Sequence, residues 1–322
     1  MIENVYQKNI FAKVSNSLNV RIPKVYERRL LPFAMRIISA LYKSRVDTYI
    51  QKLLLPEQFP IFSRIEIETI NRCNLTCSFC PTNKHFDTRP FKLMEERLFL
   101  SIIEQLQDLD YAGLLALFSN NEPLLDNRII DFSRIAKQSL PKAFLYLYTN
   151  GTLLELDKFI KLMEHIDLLL INNYSPTLTL IKPVQEVYDY CMKNKVYQDK
   201  VRIRLRKMSD TLTTRASQAK NRTKIRPLTI SCLLPFTQMV IRPDGKVSLC
   251  CADALGKVTL GDVTKDRIID IWRSDTYKEI RGLILNGRRN IPLCSGCDYI
   301  SLLIKDIWYE REYPKIFKHL NK

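Results

Sequence analysis

The chain has 322 residues, 46% of them hydrophobic, and a formal net charge of +16. That length and apolar content exclude a disordered or fibrous chain and point to one large domain with a smaller unit attached. No apolar run reaches the roughly 18 residues of a spanning helix, and no charged n-region with an apolar h-region opens the sequence, so neither a membrane span nor a secretory leader is expected. Nine cysteines, an odd number in a long chain, are spaced as metal ligands rather than as a disulfide framework, which points to the reducing cytoplasm. Lysines and arginines are scattered along the chain without an RNA-binding module signature. The positive charge is therefore read as solvated surface, and nucleic acid is not the expected partner.

In chain order, residues 1–60 are expected to form a basic, mostly helical arm. Leu30, Phe33, Ala34, Ile37, Ile38 and Leu41 recur at helical spacing, with Arg29, Arg36, Ser39 and Lys43 on the other side. Such a stripe packs against its own domain more often than on a membrane, an anionic membrane surface being the alternative contact. From residue 64 a strand–helix rhythm begins, with strands expected at 64–69, 113–118, 143–148, 168–171 and 201–207. Helices are expected near 95–108, 127–137, 155–164 and 183–194. This alternation predicts a parallel α/β sheet or barrel over residues 61–225.

The strand ends carry the polar residues. The first runs into a loop with Cys73, Cys77 and Cys80, and the second into Ser119-Asn120-Asn121-Glu122-Pro123. The third ends at Thr149-Asn150-Gly151-Thr152 and the fourth at Asn172-Asn173-Tyr174. In a parallel α/β layout these ends gather at one mouth, where ligands bind. Residues 208–229 are polar and basic and read as a mobile connector or lid. A smaller unit spans 226–300, with a hairpin turning at Pro243-Asp244-Gly245. A basic helix is expected over 301–322.

Three thiolates on one short loop can hold three irons of a [4Fe–4S] cube and leave the fourth open. Zinc is the alternative, but structural zinc takes four ligands, commonly as two pairs, and no histidine lies in this loop. Cys232, Cys250, Cys294 and Cys297 form a second set, suited either to zinc or to a fully ligated cluster. Cys251 is expected to be a buried, inert thiol, with ligation in place of Cys250 or hydrogen-atom donation as alternatives. Cys191 lies in the apolar stripe of a helix and is expected in the core.

The triplet, with Phe79 just before its last cysteine, closely resembles the signature of the radical S-adenosylmethionine (SAM) superfamily. The order Cys232, Asp244-Gly245-Lys246-Val247, Cys250, Leu260-Gly261-Asp262, Ile271-Trp272 and Cys294–Cys297 resembles that superfamily's SPASM/Twitch extension. Too few cysteines are present for two auxiliary clusters, so the spacing is similar to one-cluster members of the 2-deoxy-scyllo-inosamine dehydrogenase type. The resemblance implies a partial (β/α)6 TIM-like barrel with a small C-terminal α+β Twitch/SPASM-like domain. It also implies a SAM-binding [4Fe–4S] cluster on Cys73, Cys77 and Cys80, and one auxiliary [4Fe–4S] cluster on the second set. In the family, SAM is cleaved reductively to a 5′-deoxyadenosyl radical, which removes a hydrogen atom from the substrate.

Asn120, Asn121, Glu122 and Pro123 stand where the family has Gly-Gly-Glu-Pro, so Glu122 is expected to accept from the methionine ammonium. Asn150 and Asn172 (or Asn173) match ribose and carboxylate contacts, and Phe79 is expected beside the adenine. Arg202, Arg204 and Arg206 share one side of a strand, and if inward, Arg204 should meet a carboxylate or an anionic ligand. The implied activity is oxidation of a small-molecule alcohol or sugar, fed by a flavodoxin- or ferredoxin-type electron donor. A maturase acting on a ribosomally made peptide is the alternative, and a zinc-stabilised protein binding nucleic acid or a membrane surface without catalysis is a second.

Overall fold

The computed structural model describes residues 1–4, 43, 46–222, 228 and 231–299. The helical stripe between Leu30 and Leu41, the membrane-contact alternative built on it, and the C-terminal helix at 301–322 lie outside the described residues.

Short runs, some wholly apolar and some alternating apolar with polar residues, make the strands of one sheet: β1 (Ile2–Asn4), β2 (Arg64–Ile67), β3 (Leu114–Ala116), β4 (Phe144–Thr149), β5 (Leu168–Tyr174) and β6 (Val201–Arg206). It continues through β7 (Gln238–Ile241), β8 (Lys246–Ser248) and β9 (Thr259–Asp262). Leu168 through Ile171 are all buried, as expected for a parallel strand covered on both faces. The order is β1-β6-β5-β4-β3-β2-β7-β8-β9. Every neighbouring pair from β1 across to β7 is parallel, and β7-β8-β9 is antiparallel. Among the described residues β1 and β9 are the two edges, so the sheet is an open, partial barrel.

Between the parallel strands run α1 (Glu96–Asp108), α2 (Ile129–Ser139), α3 (Leu156–Met163) and α4 (Lys182–Lys193). Each buries one stripe; in α1 it is Phe99, Ile102, Ile103 and Leu106, the i, i+3, i+4, i+7 pattern. Because β2 to β6 are consecutive neighbours, right-handed crossovers put these helices on one side of the sheet and leave the other face for the site. Phe99 and Phe132 stack with centroids 4.0 Å apart where α1 meets α2. Phe99→Ala is expected to cost about 3–5 kcal/mol, read as a lowered urea midpoint. Cys191 is fully buried on α4, in the core as expected.

Two features depart from the sequence reading. Residues 2–4 do not belong to a helical arm: β1 pairs with β6 in the register Ile2↔Ile203, Glu3↔Arg204, Asn4↔Leu205. Three residues show no periodicity, and their partner lies some two hundred positions away. The C-terminal unit also does not form a separate sheet. Its β7 pairs with β2, Arg64↔Gln238 through Ile67↔Ile241. The expected hairpin is present as β7-β8, and Gly245 at its turn has φ +81°, where any Cβ would come within 2.6 Å of Thr264 Cγ2.

A short helix α5 (Leu234–Thr237) leads into β7, and after the hairpin and β9 come α6 (Ile268–Arg273), α7 (Asp275–Leu285) and α8 (Pro292–Ser295). Trp272 ties this unit to the core: it is fully buried, donates from Nε1 to the Pro60 carbonyl at 2.8 Å and packs against Phe59, Phe62 and Tyr277.

Candidate active site

Buried polar anchors hold the cysteine loop at the C-terminal end of β2. Arg89 bridges Glu68 at 3.0 Å and Asp87 at 2.9 Å, and donates to the carbonyls of Asn71 and Asn120. One guanidinium thus joins the end of β2, the cysteine loop and the loop after β3. Asn71 accepts from Lys92 N and donates to Pro90 O, while Asn83 donates to Cys77 O and accepts from His85 N and Phe86 N. The loop after β3 is tied in by Glu122 N donating to Arg72 O at 2.8 Å.

Cys73, Cys77 and Cys80 line one cavity of about 250 Å³. Burial, and for each the charge of nearby thiols, pushes the Cys73 and Cys77 thiols up to about 12. Asn150 Nδ2 lies 4.0 Å from the Cys73 sulfur, and Phe79, mostly buried, packs on Tyr174 with centroids 6.1 Å apart.

The expected SAM-site residues converge on the same cavity, whose walls include Phe79, Asn120, Asn121, Glu122, Asn150 and Asn172. Glu122 is buried, accepting from Thr149 Oγ1 and Leu124 N at Oε1 and from Asn150 N at Oε2. It therefore caps a local turn and splices the ends of β3 and β4. Since a carboxylate accepts about four hydrogen bonds, Oε2 keeps capacity for another donor. Burial pushes its carboxyl up to about 7, against the lowering effect of these donors. Asn150 spends Oδ1 on Thr152 and donates from Nδ2 to Asn74. Gly151 makes this turn with φ +77°, where a Cβ would strike Val184. Asn121 Nδ2 is buried without a hydrogen-bond partner among the described residues, an open donor in the cavity wall.

Strand alternation separates the two asparagines of β5. Asn172 and Tyr174 line the cavity, whereas fully buried Asn173 accepts from Ile181 N and donates to Thr179 O, holding the start of α4. Arg204 is not among the lining residues: Nη1 donates to the hydroxyl of the wall residue Tyr148 at 3.1 Å, and Nε lies 3.5 Å from Glu3. It has the expected carboxylate, but stands behind the wall.

The sequence reading passed over Arg64, Glu66, Tyr146, Tyr148 and Arg215 of the same wall. Glu66 is buried, accepting from Gln238 Nε2 at 2.7 Å and Ser119 Oγ at 2.8 Å. The available signal was period two: Arg64 and Glu66 alternate with core isoleucines, and Tyr146 and Tyr148 lead in phase to Asn150. The described part of the 208–222 connector is stapled rather than loose. Thr214 bonds Gly296 O and Asp298, Arg215 donates to Asn120 Oδ1 at 2.6 Å, and Ser78 N donates to Met208 O.

Cys232, Cys250, Cys294 and Cys297 are all buried and lie within electrostatic reach of one another. Cys251 departs from expectation: half-buried, it lines the cavity of the first set, with its backbone N–H donating to Gln238 Oε1 at 3.2 Å. Adjacent cysteines thus face different sites. Thiolates around one zinc, at about 2.3 Å each, crowd within about 4 Å of one another. Among the described residues no three His, Cys, Asp or Glu side chains are grouped to hold a single ion. Four buried thiols drawn from three segments of one unit match the four ligands a [4Fe–4S] cluster takes.

The radical SAM superfamily profile matches residues 67–201, and that of the SPASM iron–sulfur cluster-binding domain matches residues 232–298. The S-adenosyl-L-methionine-dependent 2-deoxy-scyllo-inosamine dehydrogenase of Niallia circulans is 27% identical over 244 residues, covering 75% of this chain and 95% of that protein. The crystal structure of BtrN with AdoMet and 2-DOIA is similar at a TM-score of 0.67 and 27% identity, over 76% of this chain and 95% of that one. An open form of BtrN gives a TM-score of 0.57 at 25% identity, over 76% and 96%.

Proposed function

Because this chain belongs to the radical SAM superfamily and carries a SPASM iron–sulfur domain, we propose that it oxidises a small hydroxylated, sugar-derived or aminocyclitol-like molecule. One observation carries this reading: a single cavity is bordered both by Cys73, Cys77 and Cys80 and by Cys251, the residue bonded to Cys250 of the second set. A substrate there touches the source of the radical on one side and reaches the electron acceptor on the other. In this reading Cys73, Cys77 and Cys80 hold the SAM-binding [4Fe–4S] cluster, and Cys232, Cys250, Cys294 and Cys297 hold one auxiliary cluster. When bound, these groups supply a hydrogen-abstracting 5′-deoxyadenosyl radical and a one-electron sink for the substrate radical.

The chain's own residues bind and orient. Glu122 and Asn121 face the methionine end of SAM, Asn150 and Asn172 the ribose and carboxylate, and Phe79 the adenine. Glu66, fixed by Gln238 and Ser119, accepts a substrate hydroxyl or ammonium hydrogen, and Arg64 and Arg215 supply donors. The likeness to the inosamine dehydrogenase supports the alcohol. A flavodoxin- or ferredoxin-type protein supplies the electrons, and the cytoplasm suits unpaired thiols. No helix among the described residues is long and apolar enough to cross a membrane.

The test is aerobic-free turnover with candidate aminocyclitols and sugars: one 5′-deoxyadenosine per two-electron-oxidised product supports the reading, and SAM cleavage without any oxidised product from such alcohols overturns it. The Glu122 carboxyl adds a pH prediction. In the unliganded protein it is raised by burial to about 7, so above the ordinary carboxylate value the folded chain holds a proton the unfolded chain has lost. This group's contribution to stability therefore falls as pH rises from about 4.5 to 7. SAM, bringing an ammonium, favours the ionised form, so its affinity is expected to rise with pH from 6 to 8 in calorimetry of the cluster-loaded enzyme. Glu122→Gln should weaken SAM binding at least about tenfold at pH 8, equivalent to about 1.4 kcal/mol, and flatten this pH dependence.

A further inference from the structure

We propose that Arg288 and Tyr277 raise the reduction potential of the cluster held by Cys232, Cys250, Cys294 and Cys297, and so make the second site an electron acceptor. The proposal rests on the cluster reading above and assigns a role to residues outside the ligand set.

Arg288 sits just beyond α7 with 2% of its surface exposed. Nη1 donates to Tyr299 O at 2.7 Å and Nη2 to Ser231 O at 3.3 Å. One carbonyl belongs to the residue before Cys232, the other lies two residues after Cys297. The guanidinium therefore clamps the segments carrying the first and last cysteines of the set. Its charge reaches Cys294 and Cys297, where it opposes the upward push of burial on both thiols.

Tyr277 is fully buried on α7, and its hydroxyl has no hydrogen-bond partner among the described residues. An orphaned buried hydroxyl costs about 1–3 kcal/mol. Cys250 acts on Tyr277 electrostatically, and a cluster bound by Cys250 would offer the unsatisfied hydroxyl a sulfur acceptor. Arg281, also buried, packs its cation against the Tyr277 ring. Its guanidinium lies 4.0 Å from the Phe59 ring centroid, 4.2 Å from Trp272 and 4.7 Å from Tyr277. Acidic groups act at both sites, Glu122 on Cys73 and Asp210 on Cys77 at the first, Asp253 on Cys294 and Asp298 on Cys297 at the second, and at the second Arg288 opposes them.

A cluster gains one negative charge on reduction, so a nearby buried cation and a hydrogen bond to sulfur both favour the reduced form. Acidic neighbours do the reverse. Arg288 and a hydrogen bond from Tyr277 thus bias the second site toward the reduced form, as an electron acceptor requires.

The test uses the full chain with Cys73, Cys77 and Cys80 replaced by alanine, so that only the second site reports. Iron is counted after anaerobic reconstitution, and the midpoint potential is read by redox titration with electron paramagnetic resonance. About four irons per chain are expected; no iron would overturn the cluster reading itself. With iron present, Arg288→Met should lower the potential by at least a tenfold shift in the one-electron equilibrium, about 59 mV. Arg288→Lys should stay closer to the parent, and Tyr277→Phe should shift the same way as Arg288→Met. Should Arg288→Met fail to load iron, Tyr277→Phe decides. A loaded Tyr277→Phe and a loaded Arg288 variant lacking the charge, both at the parental potential, overturn the proposal, as does a parental Tyr277→Phe where Arg288→Met cannot be loaded.

Discussion

Replacing Cys73, Cys77 and Cys80 together by alanine is expected to lower iron after anaerobic reconstitution from about eight to about four per chain and to abolish reductive cleavage of SAM. The three thiols share one loop, held by Arg89 and Asn83 rather than by one another. Their loss should therefore leave the fold standing and the second set loaded. Iron and acid-labile sulfide per chain, with 5′-deoxyadenosine by chromatography, check both halves. Four irons falling to none, with zinc retained, would make the second site structural and remove the proposed electron sink.

Separating the adjacent cysteines gives the second large effect. Cys250→Ala is expected to reduce iron to about four per chain and to stop substrate oxidation, while 5′-deoxyadenosine still forms. Cys251→Ser is expected to keep all the iron, because that side chain borders the first cavity and Cys250 lies among the second set. Any effect of Cys251→Ser should fall on substrate turnover. Loss of auxiliary iron in Cys251→Ser but not in Cys250→Ala would reverse the assignment. The pair is informative because sequence adjacency alone makes the two thiols equivalent.

The elements legible in the sequence share one property: their signals are local. The stripe Phe99, Ile102, Ile103, Leu106 announces α1, and the β7-β8 hairpin announces itself at Gly245. The cysteine loop is legible because its ligands stand within eight positions, from Cys73 to Cys80. Glu122, Asn150 and Asn172 were found because a parallel α/β chain brings its strand ends together whatever their spacing.

Residue phase was harder to read. Asn172 and Asn173 are chemically identical, and only the pleat of β5 sends one to the cavity and the other to the start of α4. Arg64 and Glu66 alternate with the buried Ile65 and Ile67, and the pattern does not say that the face they share is the cavity wall.

The amino-acid sequence by itself determined the two cysteine sets, the alternation of strands and helices from 64 to 207, and the resemblance to the superfamily, since each depends on residue type and short spacing. Tertiary structure alone decided that Ile2–Asn4 closes onto β6, that β7 docks on β2, and that Arg204 backs Tyr148 from behind the wall. It likewise decided that Cys251 turns toward the first site and that Arg288 clamps the second. Most of these pairings join positions far apart in the chain, and the side chosen by Cys251 is set by the sheet against which it packs. Hydrogen bonds, charge and burial select such partners only once the sheet has assembled, and no local pattern records the choice.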